Sequence, residues 1–485
     1  MVSLCKLFSA YFSKNRPKTE TRNQRAVQRN NVTQQELNGI SPDGLRRRLH
    51  ESVGGNLVDT TNNIKSMKGL FISLLLLIGL TSRGQTVTLD NNQKIFGLSK
   101  LWSEVNNNFA NFDISKTNWD STYQSYIPQI LNTQNDEEYY KLLIKMMASL
   151  KDGHSNVYYR PFFEYKTPPI KTKLIDNKVL VTEIFNDTLK RQVQVGDEIL
   201  KINRISVKEY ASRNIAPYIS ASTKQDLDKR IYSYDLLKGN ANEELLLELK
   251  RENKIFITSI NRLYKSQTKR PKYNLNIRND SIAILTINSF SVDNYKYIFD
   301  SLFTSLIKSK GLIIDIRQNG GGNDNEANYV LSHFISEPVQ GYKSKSRQYT
   351  PVYKAWGQAE TYIEFAPETI TPVFSKRPYL KPVVLLISSE TYSSAENFVV
   401  AFDNCKRGIK IGQTTGGSSG QPLFFELPGN GFARICTKRN LYPDGKEYIG
   451  IGIKPDIEIT ETFETIKANK DLVMEAAINY LKRQK

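Results

Sequence analysis

Apolar residues in the second half of the chain alternate between short continuous runs and longer stretches at helical spacing. The runs with the length of buried strands are 282–287, 311–316 and 382–387. The stretches with helical spacing are 293–308, 325–335 and 394–403. Strand and helix patterns that alternate in this way predict an α/β core, which we place within residues 270–485.

Two further patterns precede this core along the chain. Apolar residues recur at helical spacing within 95–151, which predicts a helical region over residues 90–160. Asp152 and Gly153 are expected to end its second helix and to place His154 in a turn.

Residues 166–265 change to short β-rich runs. Gly196 and Asp197 precede an apolar run, and this arrangement resembles the turn and strand of a PDZ domain. PDZ domains bind extended peptides by adding them as a strand at a sheet edge. We therefore expect a PDZ-like domain over residues 166–265, with a β-module that binds no ligand as the alternative.

A segment with the features of a secretory signal peptide lies at residues 67–84. It has a short basic start, an apolar core of about 11 residues and a small-residue end, followed by Gln85. We expect translation to start at Met67, and residues 1–66 to be a non-native or disordered upstream segment. The alternative is a signal anchor with a short cytoplasmic tail. Cleavage would leave a secreted or periplasmic protein without a stable membrane anchor.

The composition of the chain excludes several classes of function. A chain of 485 residues is long enough for two or three domains. The net charge of +18 is scattered and accompanies no nucleic-acid-binding motif, so we expect no nucleic-acid partner. Three cysteines and three histidines at no metal spacing predict neither a disulfide scaffold nor a metal site, and no cofactor is implied. Cys405 and Cys436 could form one bridge or remain free thiols.

The residues best suited to chemistry are a serine and a histidine. Ser393 follows the apolar run 382–387 and precedes a helical stretch. A serine at a strand-to-helix turn has an exposed hydroxyl beside helix N–H groups, which favours a nucleophile. Such a serine needs a base, and His154 in its turn is the candidate.

A run of three glycines, Gly320 to Gly322, follows the buried strand at 311–316. Glycines at this place expose backbone N–H groups, which suits an oxyanion hole or a phosphate cradle. A P-loop would need Lys and Ser or Thr next, but Asn323 and Asp324 follow.

Together these motifs resemble peptidase family S41, the C-terminal processing or tail-specific proteases and their tricorn-like relatives. Residues 311–322 resemble the core signature of the family, 393–396 its nucleophile turn, and 450–457 its closing Gly-x-Gly-Val-x-Pro-Asp signature. The resemblance covers about residues 95–460 in order. It implies a ClpP/crotonase-like core with a helical N-terminal region and a PDZ-like insert.

The resemblance also implies roles for individual residues. Ser393 matches the nucleophile, with the adjacent Ser394 as its competitor. The oxyanion donors would be the N–H of Gly320 or Gly321 and the N–H of Ser394.

The general base distinguishes two branches of the family. The processing proteases have a lysine 25 residues after the serine, where this chain has Ser418. The tricorn-like proteases use a histidine, which His154 matches, although Gly153 stands where they have a serine. Glu447 is the predicted carboxylate that orients His154, with Asp152 and Ser418 as alternatives.

We therefore predict a serine endopeptidase that acts on polypeptides, either along the chain or at their C-terminal tails. The alternatives are a catalytically inactive S41-like fold that binds a peptide or another ligand, and an esterase. The sequence leaves the natural substrate and the oligomeric state open.

Overall fold

The structure, a computed structural model, describes residues 88–160, 164–268 and 270–484. Its helices in chain order are α1 (Asn91–Asn108), α2 (Phe112–Ser115), α3 (Trp119–Leu131), α4 (Asp136–Ala148), α5 (Val207–Asn214), α6 (Lys224–Lys229), α7 (Tyr295–Leu306), α8 (Asp324–Ser332), α9 (Pro351–Ala355), α10 (Ser394–Asn404), α11 (Phe463–Lys467) and α12 (Leu472–Arg483). A π-helical turn, Arg230–Asp235, continues α6.

The strands are β1 (Asn156–Tyr158), β2 (Tyr165–Lys166), β3 (Ile170–Ile175), β4 (Lys178–Ile184), β5 (Glu198–Ile202), β6 (Ile205–Ser206), β7 (Gly239–Asn240), β8 (Glu244–Arg251), β9 (Lys254–Asn261), β10 (Tyr273–Ile277), β11 (Ile282–Ile287), β12 (Gly311–Asp315), β13 (Val339–Gln340), β14 (Lys343–Gln348), β15 (Thr361–Phe365), β16 (Thr369–Ile370), β17 (Val383–Ile387), β18 (Gly408–Gly412), β19 (Pro422–Leu427), β20 (Gly431–Cys436), β21 (Arg439–Leu441) and β22 (Ile457–Glu458). The upstream segment 1–66 and the signal peptide 67–84 lie outside the described residues.

The central sheet has the strand order β10-β11-β12-β17-β18-β22, parallel except for the β10–β11 pair. All residues of β12 and β17 are buried, as their continuous apolar sequences predict. Successive side chains point to opposite faces, so Leu312 and Ile314 pack with α7, α8 and α10, whereas Ile313 packs with α12. The predicted α/β core is thus confirmed as a sheet between two layers of helices.

The N-terminal helices share their core with strands from the far end of the chain. Leu98, Leu101 and Val105 of α1 pack with Ala433 and Ile435 of β20. β20 also pairs with β1, in the sheet β1-β20-β19. This packing brings the start of the described chain beside residues that follow the nucleophile turn.

The turn before β1 is built differently from the prediction. α4 ends at Ala148, before the predicted stop at Asp152 and Gly153, and Lys151 has the left-handed conformation with φ 52°. Gly153 does not have a positive φ, so the backbone conformation does not require a glycine at this position. His154 does lie in a turn, as predicted.

The β-rich insert (residues 166–265) has its own sheet, β3-β4-β5-β8-β9, with β6 paired to β5. β4, β8 and β9 are strands within the range whose short runs predict a β-rich region. Apolar residues of this sheet form a separate buried cluster with α5 and the π-helical turn. The insert is therefore a packed unit with its own core.

Several elements were not predicted because their sequences have no apolar period. β14 is polar throughout, and it forms because it pairs with β15 on one side and β21 on the other.

Cys405 and Cys436 are free thiols. Among the described helices, none has both the length and the apolar character that crossing a bilayer requires.

Candidate active site

Ser393 lies at the turn between β17 and α10, as the sequence predicts. Its φ of 57° and ψ of −125° are unusual for a residue with a side chain and cost about 1–3 kcal/mol. Backbone hydrogen bonds on both sides of the residue hold this conformation. The Ser393 N–H donates to the Ser418 carbonyl at 3.1 Å, and the Ser393 carbonyl accepts from the Glu396 N–H at 2.8 Å.

His154 lies between two hydroxyl groups. Its Nε2 is 3.1 Å from Ser393 Oγ, and its Nδ1 is 2.8 Å from Ser418 Oγ. With the imidazole proton on Nδ1, His154 donates to Ser418 and accepts the hydroxyl proton of Ser393. In this tautomer the histidine can remove a proton from Ser393.

Asp152 supports the His154 turn rather than the imidazole. Its Oδ1 accepts the His154 backbone N–H at 3.0 Å and the Ser155 hydroxyl at 2.8 Å. Its Oδ2 accepts from Asn111 Nδ2 at 3.0 Å. The contacts of Asp152 therefore fix the backbone that carries the histidine.

The structure does not bring Glu447, the predicted carboxylate, to His154. Glu447 Oε1 instead accepts from Lys345 Nζ at 2.9 Å and from Arg439 Nη1 at 3.3 Å. These two cations come from β14 and β21, and they hold the carboxylate in that sheet. Ser418, one of the predicted alternatives to Glu447, is the residue whose hydroxyl contacts His154 Nδ1.

Glu396 is a site residue that the sequence analysis missed. It is fully buried, and its carboxylate accepts from the Thr415 hydroxyl, the Gly417 N–H at 2.7 Å and the Ser418 N–H at 2.9 Å. Burial raises the pKa of Glu396 to about 7, because these hydrogen bonds offset only part of the desolvation. The spacing of Ser393 and Glu396 is that of a capping box, which could have identified it.

Burial and positive charge act on His154 together. Burial, the largest cause, and the Arg434 and Arg230 guanidinium groups, which disfavour the imidazolium, together lower the pKa of His154 to about 3. The imidazole is therefore neutral at neutral pH, as a general base must be. Because the imidazole is a weak base, an imidazolium that forms during proton transfer needs stabilisation by a nearby negative charge.

The predicted oxyanion donors differ in their existing hydrogen bonds. The Gly321 N–H already donates to Asn319 Oδ1 at 2.9 Å. The N–H groups of Gly320 and Ser394 have no acceptor among the described residues. The Ser394 hydroxyl donates to the Gly322 carbonyl at 2.9 Å, so its proton is engaged there. Gly320 and Ser394 thus retain available N–H groups.

Gly321 allows the two halves of the site to approach. A Cβ at this position would lie 2.7 Å from Ser393 Cβ and 2.9 Å from the Ser394 nitrogen. Its φ of +100° also disfavours a side chain. The middle glycine is therefore required by the nucleophile turn that packs on it.

Two family models match this chain. Peptidase family S41 matches residues 281–459, and the tricorn protease C1 domain matches residues 97–148. The first range contains Ser393, Glu396 and Ser418, and the second ends shortly before His154.

Curated relatives extend the similarity over most of the chain. A probable CtpA-like serine protease of Staphylococcus aureus strain N315 is 21% identical over 434 residues, which cover 86% of this chain and 78% of that protein. A carboxy-terminal-processing protease of Bartonella bacilliformis is 25% identical over 154 residues, 32% of each protein.

Solved structures share the fold at low sequence identity. Mature CPAF complexed with lactacystin has a TM-score of 0.62 and 14% identity, and the match covers 81% of this chain and 97% of that one. A putative peptidase from Parabacteroides merdae has a TM-score of 0.50 and 20% identity, with 81% and 97% covered.

Gly321→Ala is expected to abolish reaction of Ser393 with a fluorophosphonate, because the new Cβ would displace both the Ser393 side chain and the Ser394 N–H. Loss of one oxyanion donor alone costs about 10²–10³ in rate. Gly445→Ala is the matched control, since Gly445 has a similar φ of +92° but no atom nearer than Lys343 Nζ at 3.8 Å. Equal labelling rates for the two variants would contradict the packing argument.

Proposed function

The chain is a member of peptidase family S41 and a serine endopeptidase, and from this premise we propose that Ser393 is its nucleophile and His154 its general base. The observation that carries the proposal is the contact between His154 Nε2 and Ser393 Oγ at 3.1 Å. The substrate is a polypeptide. No observation favours the alternative of an inactive fold.

In the proposed mechanism, His154 Nε2 takes the Ser393 proton while Oγ attacks a peptide carbonyl carbon. The negative charge that develops on the carbonyl oxygen is stabilised by the N–H groups of Gly320 and Ser394. The oxyanion also compensates the imidazolium that forms at the same moment. His154 then gives its proton to the departing amine, which leaves an acyl-enzyme on Ser393.

Water completes the reaction. His154 Nε2 removes a proton from a water molecule, and the hydroxide attacks the acyl carbon. The proton returns to Ser393 Oγ as the carboxylic acid product leaves. Throughout both steps, we propose that Ser418 keeps the Nδ1 proton of His154 in place, with Glu396 fixing the Ser418 backbone.

Hydrolysis of an unfolded protein tests the nucleophile and the base. Ser393→Ala and His154→Ala are each expected to lower kcat by at least about 10³-fold. A fluorophosphonate adduct should map to Ser393 by mass spectrometry. Ser305→Ala, an exposed serine on α7, is the control. Full activity of His154→Ala, or an adduct on Ser394, would overturn the assignment.

The partner of His154 Nδ1 is tested by comparing Ser418 with Glu447. Ser418→Ala removes a neutral hydrogen bond, and we expect kcat to fall about tenfold. Glu447→Gln removes a carboxylate that contacts Lys345 and Arg439, and kcat should stay within about twofold. The reverse order of effects would support Glu447 as the orienting residue.

We further propose that the β-rich insert is PDZ-like and binds the C-terminal tail of the substrate. β3 lies at the edge of the insert's sheet, with β4 as its strand partner among the described residues, and edge strands can accept a peptide strand. In the Ser393→Ala variant, a peptide with a free C-terminus should bind at least about tenfold more tightly than its amide. Equal affinities would argue against tail recognition.

Export of the protein is the remaining proposal. It rests on the signal-like segment 67–84 and on the similarity to CtpA-like proteases. Secretion from cells that express the full sequence should yield an N-terminus near Gln85. An N-terminus at Met1 or Val2 on the cellular protein would contradict cleavage.

A further inference from the structure

Tyr392, the residue before the nucleophile, contacts the proposed base. Its ring stacks on the His154 imidazole, with the ring centroids 5.1 Å apart and the planes 10° from parallel. The side chain is 7% exposed. A buried ring in parallel contact restricts how the imidazole can tilt, and this restriction is independent of the hydrogen bonds of His154.

The Tyr392 hydroxyl fills the space beside Gly153. A Cβ on Gly153 would lie 2.0 Å from this oxygen. The residue before His154 therefore has no room for a side chain, which explains the glycine at a position where its φ does not require one. The hydroxyl is buried and has no hydrogen-bond partner among the described residues.

Charged residues of the insert surround this ring. Asp226 is fully buried and accepts from Arg230 Nε at 2.8 Å and from Lys229 Nζ at 3.1 Å. Lys229 Nζ and Arg230 Cζ lie 4.9 Å and 5.1 Å from the centre of the Tyr392 ring. Cations at these distances interact favourably with an aromatic face. Burial and the Asp226 carboxylate raise the pKa of Tyr392, which keeps its hydroxyl neutral.

The same segment, 222–230, contacts the three loops that form the site. Ser222 Oγ accepts the Gly153 N–H at 3.0 Å, beside the histidine. The Thr223 hydroxyl donates to the Gly416 carbonyl at 2.9 Å, in the loop that carries Ser418. Lys229 Nζ donates to the Ser389 carbonyl at 3.2 Å, before the nucleophile.

We propose that Tyr392 is a positioning residue for His154, anchored by the ion pair between buried Asp226 and Arg230, so that α6 of the insert sets the orientation of the imidazole. This inference rests on the proposed roles of His154 and Ser393. It assigns the insert a second task, separate from peptide binding: it holds the base in place for proton transfer.

The first test compares Tyr392→Leu with Tyr392→Phe in the full chain. The rate of Ser393 phosphonylation and kcat should fall about tenfold in Tyr392→Leu, with KM nearly unchanged. Tyr392→Phe keeps the stacked ring and should stay within about threefold of wild type. Equal rates for Leu and Phe would overturn the proposal.

A double-mutant cycle separates positioning from a general structural role. If Tyr392 acts through His154, then Tyr392→Leu in a His154→Ala background should change the residual phosphonylation rate by less than about twofold. A further tenfold fall in the phosphonylation rate in that background would show that Tyr392 does not act through His154. Failure of the proposed function is distinguishable, because His154→Ala would then react as fast as wild type.

A suppressor experiment tests the packing of the hydroxyl. Gly153→Ala should slow phosphonylation at least about tenfold because its Cβ collides with the Tyr392 oxygen. Adding Tyr392→Phe removes that oxygen and leaves Asp226 Oδ2 at 3.0 Å and Arg230 Nη2 at 3.2 Å from the new Cβ, the ends of two side chains that need to shift by only a few tenths of an ångström. The double variant should therefore regain most of the rate. The packing argument would be contradicted if Gly153→Ala reacted as fast as wild type. It would also be contradicted if the double variant reacted as slowly as Gly153→Ala alone.

Asp226→Asn tests the anchor in the insert. It leaves the cations of Lys229 and Arg230 without their carboxylate, and kcat should fall about tenfold with little change in KM. Because loss of a buried carboxylate can destabilise the fold, the unfolding midpoint is measured too. The fall in kcat should persist when the variant is assayed at temperatures well below its unfolding midpoint. A folded variant with wild-type kcat would show that the insert does not position the base.

Discussion

The structure of the site depends on the placement of one imidazole. His154 joins Ser393 and Ser418, which are 239 and 264 residues away in sequence, through contacts of 3.1 Å and 2.8 Å. Hydrogen bonds weaken steeply when distance or angle is lost, so three loops must be held together. The pairing of β1 with β20 and the hydrogen bond from Cys436 N–H to Ser155 Oγ at 3.1 Å provide part of that hold.

The electrostatics of the site differ from those of a triad with a carboxylate next to the histidine. In this site a neutral hydroxyl, Ser418, contacts Nδ1, while burial and, to a smaller extent, Arg434 and Arg230 lower the pKa of His154. The nearby carboxylate of Glu396 instead binds the Ser418 N–H. The proposed base is thus neutral at neutral pH but weakly basic, and in the proposed mechanism the oxyanion donors carry more of the stabilisation in the transition state.

The parts of the molecule that follow from local pattern were predictable. The buried strands β12 and β17 are continuous apolar runs, and the predicted bounds of α7 and α10 differ from the observed ones by a few residues at most. β14 was not predictable, because its polar sequence becomes a strand only through pairing with β15 and β21. Placement of Ser393 at a strand-to-helix turn belongs to the predictable part.

The partners of the histidine could not be predicted in the same way. A family pattern indicates Glu447, but Lys345 and Arg439 bind its carboxylate. The contact of Tyr392 with His154 depends on packing that sequence spacing does not reveal. Glu396 was within reach of sequence analysis, since it lies three residues after the serine.

The protonation state of His154 is the most direct test of this account. Nitrogen NMR of histidine-labelled protein suits the question because the chain has only three histidines, and His154→Ala assigns the signal. We predict a neutral imidazole with its proton on Nδ1 from about pH 8 to about pH 5, with a pKa of about 3. A signal that titrates near the ordinary value of 6.5, or a neutral ring with its proton on Nε2, would contradict the account.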